Sequence, residues 1–103
     1  MSVLPKDQFK AVDPTEEFCR RYGLGDYIPI VEGLLARHFT IVSPIARRVH
    51  DDAEIGESYL LFEFGVRGDV SEVLNGYDRF TDEWLRIAPE PVRDRIHVSF
   101  DVL

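Results

Sequence analysis

The chain is expected to fold as a small α+β two-layer sandwich: a three-stranded mixed sheet with a long amphipathic helix on one face. Three observations lead there. Val70, Val73, Leu74, Tyr77, Phe80, Trp84 and Leu85 recur at steps of three and four, the period of a helix with one apolar side. Before and after that stretch, Leu60, Phe62, Phe64, Val66 and then Ile96, Val98, Phe100, Val102 alternate with a period of two, as half-buried strands do. A length of 103 residues, 45% hydrophobic and 30% charged, suits one globular domain.

Met1 to Val12 reads as a loose arm with Pro5 and scattered charges, from which Phe9 and Val12 can dock on the body. Residues 13–103 form the domain. Asp13 is a cap, Pro14 suits a first helical position, and Glu16 stands where a capping box needs it. Arg20 and Arg21 complement the negative end of the helix, and Gly23 stops it, giving a helix over Pro14 to Tyr22. Asp26 is expected to cap a second helix, with Pro29 in its first turn, Ile28, Val31, Leu34 and Leu35 at helical spacing, and its end near His38.

Phe39, Ile41, Ile45 and Val49 indicate the first strand. Pro44 cannot donate to a ladder, so this strand belongs on an edge or carries a bulge. His50 to Glu57 is expected as an acidic connection. The second strand places Leu60, Phe62, Phe64 and Val66 on one face and Tyr59, Leu61 and Glu63 on the other. That second face is therefore partly covered or meets another chain. Asp69 and Glu72 form a capping box for the long helix, Asp69 to Ile87. Gly76 inside it costs about 1 kcal/mol relative to alanine, which points to close packing there. Tyr77, Phe80 and Trp84 read as core. Ala88-Pro89-Glu90-Pro91 ends the helix, and the last strand follows.

The order is α-α-β-β-α-β. The middle strands should pair as an antiparallel hairpin. The long helix should make a right-handed crossover that returns the last strand parallel to the second, adjacent to it or one strand away. The ββαβ portion resembles a fragment of a ferredoxin-like fold, although the opening strand of such folds is not evident. A shared fold would not carry a function with it.

Composition narrows the function classes. Nineteen acidic residues against 12 basic ones give a net charge of −7, which argues against a nucleic-acid partner because that affinity rests on Lys and Arg meeting phosphates. A single cysteine, Cys19, allows no intrachain disulfide and fits a reducing, cytoplasmic setting. No apolar run approaches the roughly 20 residues of a membrane span, and the first residues lack the pattern of a signal peptide. No membrane partner is expected.

The candidate motifs each have a plainer explanation. The run from His50 to Glu57 is acidic and contains Gly56, but its spacing departs from a calcium loop, so it reads as a solvated hairpin connection. Cys19 has no positioned base and reads as a small packed side chain. Gly65-Val66-Arg67-Gly68-Asp69 joins a strand to a helix start, yet lacks the lysine of a phosphate-binding loop and carries an acid at the cap. No catalytic residue, cofactor site or metal site is assigned. The expected function is binding: an accessory or regulatory protein that meets a protein partner, or a second copy of itself, through the last strand or the second sheet face. The alternative is a small enzyme or ligand-binding domain with a polar pocket formed by His38, Arg47, Arg48, His50 and Glu63.

Overall fold

A computed structural model describes residues 13–103; the arm expected over residues 1–12, with its Phe9 and Val12, lies outside the described residues. The first helix, α1 (Pro14–Tyr22), has the expected limits. Asp13 caps it by accepting from the Thr15 N–H at 2.9 Å, so the reciprocal box expected with Glu16 is replaced by a tighter local bond. Gly23 closes the helix in the left-handed region, at φ 67°, where only glycine sits without strain.

Asp26 does not cap the second helix. It lies inside a single 3₁₀ turn (Gly25–Tyr27) that leads directly into α2 (Ile28–His38), and Tyr27 holds the cap position without a side-chain bond. Pro29 occupies the first turn as expected. Phe39 ends the helix in an extended conformation rather than opening a strand.

The first expected strand is split into β1 (Thr40–Ile41) and β2 (Ala46–Asp52). Among the described residues the sheet therefore has four strands rather than three. Residues 42–45 stand opposite only residues 64 and 65 of β3 (Glu57–Arg67). Pro44 cannot serve the ladder, and the Ser43 hydroxyl accepts the Gly65 N–H at 2.7 Å instead. The hairpin connection is shorter than expected. His50 and Asp51 lie in β2 opposite Tyr59 and Ser58, and only residues 53–56 form the turn.

The long helix α3 (Val70–Ile87) starts with both bonds of the Asp69–Glu72 capping box. Beyond it, Pro91 lies in the first turn of a short helix, α4 (Glu90–Arg93), that the sequence pattern does not announce. Strand β4 (Ile96–Val102) then pairs parallel with β3, adjacent to it, from Leu60↔Ile96 to Val66↔Val102. Strand β3 is the centre. Gly65 O accepts from Val42 on one side, while Val66 O accepts from Leu103 on the other. Strands β1 and β2 thus share one side of β3, and β4 takes the other.

The four α-helices of the described residues pack on one face of this mixed sheet, making the two-layer α+β sandwich. Leu60, Phe62, Phe64 and Val66 meet Val31, Leu34 and Leu35 of α2, and Val73, Phe80 and Trp84 of α3. Phe39 is the hub of an aromatic cluster, with ring centroids 5.5 Å from Phe64, 5.2 Å from Phe100 and 6.4 Å from Phe80. Such edge-on and tilted contacts add to the burial of apolar area. At Gly76 the α3 backbone crosses close to the end of α2: an added Cβ would lie 2.3 Å from the His38 carbonyl oxygen.

Candidate functional site

Among the described residues, this packing leaves two surfaces open that bear on function. The first is the face of the sheet opposite the helices. Alternation along β2, β3 and β4 brings Arg48, His50, Tyr59, Glu63 and His97 there. Arg48 Nε donates to Glu63 Oε1 at 2.8 Å, and its Nη1 lies 3.4 Å from His50 Nδ1. The Tyr59 ring sits between two imidazoles, 5.1 Å from His50 and stacked 3.9 Å from His97. Leu61 is buried on this face, apart from the main core, flanked by its pair partners Arg48 and His97.

Electrostatics follow the geometry. The hydrogen bond from Arg48 holds the Glu63 carboxyl below its ordinary range, and the same bond raises the Arg48 guanidinium. Partial burial pushes the His97 imidazole down, against the opposing pull of Asp94. The guanidinium of Arg48 is thus already engaged.

The five residues considered for a polar pocket divide among three places. Arg48, His50 and Glu63 share the open sheet face. His38 lies at the end of α2, where Nε2 bonds Glu83, which also accepts from Arg37 at 2.9 Å. It borders a cleft of about 430 Å³ that Arg67, Glu72 and Arg79 also line. Arg47 points to the helix side instead, beside Asp13, Glu16, Cys19 and Asp26. Burial raises the Cys19 thiol above its ordinary value, with Arg47 opposing the shift. Among the described residues, no three His, Cys, Asp or Glu side chains are grouped to hold a metal ion.

The second open surface lies along β4. Its only pairing is with β3, so its outer edge is free among the described residues. Arg95 O accepts from Leu60 and Leu103 N donates to Val66. By alternation, the N–H and C=O groups of Val98, Phe100 and Val102 point outward. Beside this edge, α3 presents Val70, Leu74, Tyr77 and Leu85, which are 64, 53, 39 and 48% exposed. The expected apolar stripe is therefore divided. At 3.6 residues per turn, Val73, Gly76, Phe80 and Trp84 form one narrow seam, and only that seam is buried. Val70, Leu74, Tyr77 and Leu85 lie on the flank turned toward β4, where the Tyr77 and Phe100 rings are 5.8 Å apart. Tyr77, expected as core, is one of these flank residues.

Tyr59 and His97 were each assignable to the second face from alternation alone. Their stacking needs the parallel register of β3 and β4, which the pattern does not supply. No family model, curated protein or solved structure matches the chain. Among the described residues, no helix is long and apolar enough to cross a membrane.

Proposed function

We propose that this chain acts by binding a protein, as an accessory or regulatory component rather than a catalyst. The outer edge of β4 and the apolar flank of α3 form the binding surface. One observation carries the reading: among the described residues, a free strand edge and four exposed large apolar side chains lie on the same side of the molecule. An edge offers main-chain hydrogen bonds to an incoming segment, and adjoining apolar side chains supply the area that gives such pairing its strength. Contiguous apolar surface of this kind marks interaction sites in soluble proteins.

A photo-crosslinking residue placed at Leu74 or Leu85, in cells, tests this directly. The expected result is a discrete crosslinked protein, identified by mass spectrometry and lost on adding the Tyr77→Glu substitution. A crosslinker at Ile55, exposed on the distant hairpin turn, serves as control. Equal, diffuse labelling from all three positions would defeat the proposal.

A second reading, a small enzyme or ligand-binding domain, is favoured by one observation: Arg48, His50 and Glu63 assemble with Tyr59 and His97 on the open face. Saturable shifts of the His50 and His97 ring signals on titration with small carboxylates or phosphates would support it. Invariant signals would count against it.

A further inference from the structure

The binding surface described above, on whose reading this inference rests, is complementary to itself. We propose that its occupant is a second copy of this chain, with β4 pairing antiparallel to β4 of the partner about a twofold axis through Ser99. A closed twofold dimer requires each patch to match its own rotated image. Two features of the sequence along this surface meet that condition.

The first is the pairing of a polar donor with an acceptor. With Ser99 on the axis, each residue meets the one whose number completes 198, so Val98 faces Phe100 and His97 faces Asp101. His97, Ser99 and Asp101 all project from the open sheet face. An imidazole N–H therefore meets a carboxylate, once on each side of the axis. Opposite groups placed directly across an antiparallel pair stabilise it, and like charges there oppose it. A register centred on Phe100 instead sets His97 opposite Leu103 and Ser99 opposite Asp101, losing both pairs. The outward N–H and C=O groups of Val98 and Phe100 exchange hydrogen bonds in the Ser99 register.

The second feature is the helix flank. The Tyr77–Phe100 contact puts Tyr77 near the axis level, and Thr81 and Leu85 share a groove with Ile96 and Val98. The same rotation carries α3 antiparallel to its copy, with Leu74 of one chain close to Leu85 of the other. None of Val70, Leu74, Tyr77, Thr81 and Leu85 is charged. Asp78, which follows Tyr77 and stands within about 40° of Leu74 and Leu85 around the helix, is an acid that borders the flank.

Sedimentation equilibrium and disulfide trapping test the proposal on the purified full chain. A dimer is expected, and Leu74→Glu should weaken it by about tenfold or more while leaving the folded spectrum unchanged. His97→Asp should weaken it through facing carboxylates, and adding Asp101→His should restore it. In a Cys19→Ala background, Ser99→Cys should give a disulfide-linked dimer under mild oxidation. Non-hydrogen-bonded antiparallel pairs bring Cα atoms to about 4.5 Å, within disulfide range. His97→Cys should not crosslink.

A monomer at about 1 mM, where even weak association shows, overturns the inference. If the crosslinkers at Leu74 and Leu85 still capture a different protein, only the choice of partner has failed. A dimer indifferent to Leu74→Glu, or one trapped by His97→Cys and not by Ser99→Cys, also overturns it, by showing another surface or register.

Discussion

At position 76 a methyl group has no room, because the His38 carbonyl oxygen already occupies the place of a Cβ. Helix propensity alone would favour Gly76→Ala by about 1 kcal/mol. The clash with backbone reverses the sign, and a net loss of about 1–3 kcal/mol is expected as a lower urea midpoint at constant m. Gly33 supplies the contrast. It is exposed in α2, and an added Cβ meets nothing within 4 Å. Gly33→Ala should therefore stabilise by about 0.5–1 kcal/mol. His97 governs a pH response of its own. Burial makes the folded chain bind a proton there less readily than the unfolded chain does. Stability is thus retained above the ordinary imidazole value of 6.5 and falls as the pH drops below it. His97→Gln should flatten that part of a chemical-denaturation pH series. Glu63 and Glu83 add a later loss. Hydrogen bonds from Arg48 and His38 hold these carboxyls below 4.5, so their contribution is present above that value and disappears as the pH falls through the depressed ones. Both are near the surface, so this second loss should be small.

The helices show how far cap chemistry reaches. Asp13 and Pro14 mark the start of α1, Gly23 marks its end, and Asp69 with Glu72 opens α3. These bonds span no more than a few residues, so they are legible without knowledge of the rest of the fold. Asp69→Ala removes the acceptor for the Glu72 N–H and should cost about 1 kcal/mol, measured as a lower unfolding midpoint. Asp26 has the right residue type yet does not cap, because Leu24 is fully buried and its carbonyl already accepts from Tyr27, drawing Asp26 into a turn. The break between β1 and β2 was legible as a disturbance at Pro44. That Ser43 would take the Gly65 N–H was not, since the partner lies 22 residues away. The polar residues at the candidate site divide in the same manner. Alternation assigns Arg48, His50 and Glu63 a face, while the row they form with Tyr59 and His97 depends on the register of three strands.

For the molecule as a whole, the width of the sheet is the deciding quantity. Among the described residues, β4 is the last strand on its side, so α3 finds cover there for one seam and not for the flank beyond it. Phe80, 3% exposed in that seam, should lose about 3–5 kcal/mol on truncation to alanine. Leu74, more than half exposed, should change stability by no more than about 0.5 kcal/mol on the same substitution, measured at a dilution where any dimer has dissociated. Equal losses at the two sites would mean that the flank is part of the folded core. The limits of α1, the start of α3 and the inward side of β3 and β4 could be read directly from the chain, because period and caps act over one or two turns, whereas the split of the first strand, the length of the hairpin turn and the short helix α4 could not. Three things came from contacts between distant segments: which half of the α3 stripe is buried, the shared edge of β1 and β2, and the separation of His38 and Arg47 from Arg48, His50 and Glu63. An apolar period records that a side chain is suited to burial. Whether anything is there to bury it depends on how many strands stand beside it, and beyond β4 the described fold provides none.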